Sequence, residues 1–181
     1  MTEEQYIDEI FDAWPEDGIT ATAALTLAAE ATSAYPGSAQ LWRMRGDLLH
    51  LKLTDLTLTN LRSLAQEDNI LLKDLPDKRL MRECYERSVS LDPSDAESLE
   101  SLAYFYDIWD ERPDLAEDAF RRAIQNGGSP SAYAGLARAL AETGRKAEAI
   151  ELLDACPFVD YDEALKMRSE IDAGEWDIKR Q

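Results

Sequence analysis

The stretch "AQLWRMRGDLL" at residues 39–49 has the spacing of a helix, yet it holds a glycine at its centre. Gly46 costs about 1 kcal/mol against alanine there, because glycine has more backbone freedom to lose. No proline or turn cluster nearby makes it a boundary. The outline returns twice downstream. "LWRMRGDLL" puts Trp42, Gly46 and Leu49 at relative positions 0, 4 and 7. "LESLAYFY" puts Leu99, Leu102, Ala103 and Tyr106 at 0, 3, 4 and 7, and "YAGLARAL" does the same with Tyr133, Leu136, Ala137 and Leu140. Those offsets mark one helix face. The fifth place is always small (Gly46, Ala103, Ala137), so a second helix can approach closely and offset the cost of the glycine.

A second helix type alternates with the first. "AEDAFRRAI" carries Ala116, Phe120, Ala123 and Ile124, and "AEAIELLDAC" carries Ala149, Leu153 and Cys156. "ALTLAAEATSAYP" has Ala24, Ala28 and Ala31 before Pro36, and "MRECYERSVSLDP" has Met81, Tyr85 and Ser88 before Pro93. Both prolines end a helix, and the next helix starts three places later. Only eight glycines and seven prolines occur, which favours long helices over a many-turned β protein.

These residues resemble the tetratricopeptide repeat, whose unit of about 34 residues reads W-x2-L-G-x2-Y, then A-x3-F, A and P. The resemblance implies an all-α, right-handed solenoid of antiparallel helix pairs, forming a single domain over residues 1–181. The pairs fall at about 4–35, 39–92, 96–127 and 130–156, with a capping helix at 160–173 covering the last apolar face through Tyr161, Leu165 and Ile171. The chain departs from the family's pattern in places. Arg45 replaces the expected leucine, the third repeat carries one extra residue around "DERPD", and the fourth lacks its closing proline. Between Gly46 and Met81 lies an insert near 51–73, "LKLTDLTLTNLRSLAQEDNILLK". Its leucines suit neither one helix face nor one strand. It reads as a prolonged first helix, a loop and a short helix near 60–66, packed on the solenoid's own edge, over the groove or against another molecule.

Local signals agree with the boundaries. Thr2-x-x-Gln5, Ser94-x-x-Glu97 and Asp160-x-x-Glu163 have capping-box spacing. Ser129 precedes Pro130 at a first helical position, and Gly144 and Gly174 sit where helices stop.

The formal charge is −18, spread unevenly. Residues 1–38 hold eight carboxylates and no Lys or Arg, whereas 39–92 hold nine of each sign. Such a field repels nucleic acid and anionic lipid, which makes neither an expected partner. The N-terminal stretch "MTEEQYIDEI" has no secretory pattern, and no run reaches the ~18 apolar residues of a membrane span, so a cytoplasmic location is the expectation.

Chemistry finds little to build on. His50 is the only histidine and falls among leucines. Cys84 and Cys156 are far apart with no CxxC, so neither a disulfide framework nor a zinc site is expected. No Gly-rich phosphate loop, GxSxG or HExxH occurs. The expectation is no enzyme activity, no cofactor and no metal.

A binding module remains. In the family, the first helix of each pair lines a concave groove that holds an extended peptide or a helix. Carried over position by position, the resemblance makes Arg43, Asp47 and His50 groove residues in the second repeat. Glu97, Glu100, Tyr104, Asp107 and Ile108 follow in the third, and Arg138 and Glu142 in the fourth. The lysine and asparagine cluster with which some members grip a C-terminal carboxylate is missing. Carboxylates beside Tyr104 and Ile108 suit a partner segment mixing Lys or Arg with apolar anchors, though the same acids also make an ordinary solvated face. An adaptor holding such a segment is one reading. A dedicated acidic inhibitor of a basic enzyme is another, and a self-assembling scaffold a third; as a groove binder the chain is a monomer or weak homo-oligomer.

Overall fold

A computed structural model describes residues 1–15, 21–64, 76–158 and 161–176, with side chains of the long third helix described through 55. Every regular element among the described residues is helical: α1 (Glu3–Asp12), α2 (Thr22–Ala34), α3 (Ala39–Leu64), α4 (Pro76–Leu91), α5 (Ala96–Tyr104), α6 (Pro113–Gln125), α7 (Pro130–Glu142), α8 (Lys146–Asp154) and α9 (Asp162–Asp172). The fold is an all-α, tetratricopeptide-like solenoid of helix pairs. It divides into two compact units, Met1–Pro93 and Ser94–Gln181.

In the first unit α1 to α4 pack in sequence. Ile10, Ala24, Ala28, Ala31, Leu41, Met44 and Leu48 form its core, flanked by Tyr6, Trp14 and Tyr35. The three alanines leave room for the large residues of α1 and α3. Gly46 is buried, and an added Cβ would lie 2.5 Å from Cε1 of Tyr85, itself fully buried on α4. The glycine is there to admit that ring. Arg45, the departure from leucine, is absorbed by polar partners: its Nη1 donates to Oγ1 of buried Thr32 at 3.0 Å, and its guanidinium lies 5.8 Å from the Trp42 ring centre.

The insert corrects one expectation. α3 runs unbroken for 26 residues to Leu64, about 39 Å at 1.5 Å per residue, with no loop before residue 60. The predicted short helix near 60–66 is therefore continuous with α3 as far as residue 64, and the rest of the insert lies outside the described residues. Leucine, lysine and threonine tolerate helix, and no glycine or proline interrupts residues 47–64. Leu53 is buried, and Lys52 pairs with Asp77 at 2.7 Å across to α4.

In the second unit α5 runs on into a π-helical turn, Phe105–Trp109. Glu111 then takes φ 52°, before α6 opens on Pro113. The extra residue expected around "DERPD" falls in this turn between α5 and α6, just after the π-helical segment. Phe120 of α6 is fully buried, meets Tyr104 edge-on at 5.0 Å, and has Gly135 of α7 against its ring. Thus Gly135 repeats the relationship of Gly46 to Tyr85, now between neighbouring pairs. The sequence pattern does not mark Gly135, because it lies off the 0, 3, 4, 7 stripe.

Caps match in part. Thr2 and Gln5 form the expected box, and Ser129 accepts from the amides of Ser131 and Ala132. Before α5 the cap is Asp95, accepting from the Ser98 amide at 3.1 Å, so the Ser94–Glu97 box is off by one residue. The Asp160 box falls on a residue outside those described. α9 packs on α7 and α8, but through Ala164 and Ile171. Tyr161 and Leu165, expected to be covered, are 57% and 52% exposed. A helix has one inward stripe, and on α9 residues 164 and 171 fall on it, seven apart.

Candidate functional site

Within the second unit, α5, α7 and α9 line one groove of about 280 Å³. Tyr104 comes from α5, Ser131, Ala134 and Arg138 from α7, and Glu163, Lys166, Met167 and Glu170 from α9; Trp176, beyond α9, completes the lining. The spacings explain how each helix supplies its share. Residues 131, 134 and 138 are three and four apart, as are 163, 166, 167 and 170, so each set lies on one face.

Arg138 is the pivot. Its guanidinium pairs with Asp107, whose side chain is only 6% exposed, and lies 5.9 Å from the Tyr104 ring centre and 5.6 Å from that of Trp176. An ion pair on one side and two aromatic faces on the others fix the cation. The Tyr104 hydroxyl donates to the Ser131 carbonyl at 2.8 Å. Burial pushes this phenol above its usual pKa; the bond to Ser131 works against that, and the Glu100 and Glu163 carboxylates add to the rise. Tyr104 stays neutral and serves as a wall.

The other expected groove residues separate. Glu100 accepts from the Ser129 hydroxyl at 2.7 Å, and Glu97 and Ile108 are exposed, Ile108 by half its surface. Asp107 is paired with Arg138, its side chain only 6% exposed, and so does not share an exposed face with Glu97. Glu142 has its carboxyl pKa raised by burial first and then by Asp107, with Arg138 opposing. Arg43, Asp47 and His50 lie in the first unit. Asp47 accepts from Arg43 at 3.1 Å and from the Tyr85 hydroxyl at 3.0 Å, so it locks the ring packed on Gly46. His50 has its pKa lowered by burial, against the pull of Asp47.

Neither thiol is poised to react. Both cysteines are buried, and burial pushes Cys84 up to about 12. Among the described residues no cluster of His, Cys, Asp or Glu is placed to hold a metal ion, and no helix is long and apolar enough to cross a membrane.

The sequence marks α9 as a cap but gives no groove role to Glu163, Lys166, Met167, Glu170 or Trp176. The repeat pattern stops before α9, and the one signal for Trp176 is that it follows Gly174, a helix stop with φ 77° that turns the chain back.

Residues 109–170 match the tetratricopeptide repeat family model. A thermophilic TPR protein of Thermus thermophilus has a similar structure, with a TM-score of 0.51, 15% identity, and coverage of 96% of this chain and 99% of that one. The MamA protein is a more distant likeness, with a TM-score of 0.42, 17% identity, and 94% of each chain covered. No curated protein matches the sequence.

Proposed function

On the premise that the chain is a tetratricopeptide repeat protein, by its match over residues 109–170 and its TPR-like fold, we propose a non-enzymatic protein–protein interaction module. It acts as one TPR-like domain, an adaptor or scaffold holding a partner segment in the groove of the second unit. The segment is basic and partly apolar. One observation carries this reading: Tyr104, Ala134 and Met167 supply apolar contact in the same groove that Glu163 and Glu170 also line. Of the two cations lining the groove, Arg138 is paired with Asp107, and Lys166 lies 3.7 Å from the Glu170 carboxylate. Apolar anchors give such a complex its lifetime, and the acids steer its encounter. The net charge of −18 works in the same direction at longer range.

The test is the association rate of a fluorescent peptide alternating lysine and leucine. Glu163→Lys, in the groove, should slow association severalfold, with the effect shrinking as salt rises. Glu151→Lys, an equal charge change on the exposed side of α8, should do much less. Equal effects from the two variants would reduce the acids to a general field and sink the groove reading.

A further inference from the structure

The groove already holds an aromatic ring of this chain. Trp176 lies with its ring centre 5.6 Å from the Arg138 guanidinium, and its indole N–H donates to Oε2 of Glu170 at 3.1 Å. Arg138 has contacts independent of this ring, its ion pair with Asp107 and the Tyr104 ring 5.9 Å away. The ring therefore rests on a fixed platform, with the small Ala134 on the same helix face. Glu170 is shared between the indole and Lys166, the latter at the longer distance of 3.7 Å. If the indole leaves, a seat for a flat ring is vacated and a carboxylate loses a donor at the same moment.

Resting on the groove reading above, we propose that Trp176 is an intramolecular competitor for the partner's site. The partner segment seats an aromatic side chain of its own on Arg138 and carries a cation just beyond it, toward Glu170 and Glu163. The features that hold Trp176 define this chemistry: a cation facing the ring, and acids beside it that favour a positive neighbour. Competition follows from mass action. A site open only part of the time has its apparent affinity reduced by that fraction. One cation–π contact and one hydrogen bond are weak enough to yield to a segment bringing more contacts.

The experiment uses the full chain as wild type, Trp176→Ala and Trp176→Phe, with thermal melts run alongside. The probe is a labelled peptide, Gly-Trp-Ser-Ile-Lys-Arg-Gly, and its form with leucine for tryptophan. The tryptophan peptide should bind Trp176→Ala about fivefold to tenfold more tightly than wild type, with Trp176→Phe falling between them. The leucine form should bind all three weakly and alike. Equal affinity of the tryptophan peptide for wild type and both variants would overturn the competition. Leucine binding as well as tryptophan would overturn the aromatic seat and leave the basic, apolar groove reading standing. Binding of neither peptide to any of the three would overturn both.

Discussion

A Cβ on Gly46 would lie 2.5 Å from Cε1 of Tyr85, a ring held in place by full burial and by its hydroxyl bond to Asp47 at 3.0 Å. Two effects oppose each other in Gly46→Ala. Helix propensity favours alanine by about 1 kcal/mol, whereas overpacking a core costs about 1–3 kcal/mol. Because the ring is pinned at both ends, overpacking wins, and urea denaturation should show a net loss. Tyr85→Leu in the same chain should relieve part of it, so the double variant is less damaged than the two losses added together. A more stable Gly46→Ala protein would mean that the close approach is not what the glycine serves.

Arg138→Ala should destabilise the second unit by about 3 kcal/mol, because it strands a nearly buried carboxylate at Asp107. Adding Asp107→Asn removes the stranded charge and should restore much of the loss. A double variant as damaged as the single would place the effect of Arg138 in its aromatic contacts.

Glu117 of α6 gives the pH dependence a sign. Hydrogen bonding from Arg145 first, and then from Arg121, holds its carboxyl below the usual 4.5, against the opposing effect of burial. The unfolded chain therefore binds this proton at higher pH than the folded one. Its stabilisation is complete above about pH 4.5 and is lost as pH falls toward and through the lower folded value. Glu117→Gln should flatten that part of the stability curve, read from thermal melts between pH 6 and the acid limb at roughly pH 3. A curve of unchanged slope would assign the acid loss to other carboxylates.

On α9 the two faces should respond differently. Ile171→Ala removes a buried side chain and should cost about 2–4 kcal/mol, whereas Tyr161→Ser with Leu165→Ser should stay within roughly 0.5 kcal/mol per site. Comparable losses from both would mean that the exposed pair is covered in solution.

The helix-pair fold could be read from the sequence because its marks are local. Small residues at 46, 103 and 137, prolines after the second helices, and Ser129 before Pro130 all act within a few residues of themselves. The readings that missed needed information from elsewhere in the chain. Whether Ser94 or Asp95 caps α5 depends on where α5 begins, and a one-residue choice leaves little mark on composition. The insert has no breaker before residue 64, yet its leucines lack a stripe, so pattern alone broke a helix that propensity continues. Asp107 reads as one more acid on an acidic helix until α7 brings Arg138 against it. Trp176 joins the groove only because the chain turns back after α9, well beyond the reach of the repeat pattern.

The most direct test of the groove is amide shift mapping of the full chain during titration with the lysine–leucine peptide. Shifts concentrated at Tyr104, Ala134, Arg138, Glu163, Met167 and Trp176, with little change along α6 and α8, are the predicted result. Shifts concentrated on the exposed acids of α6 and α8, or spread over acidic residues throughout the chain, would contradict it.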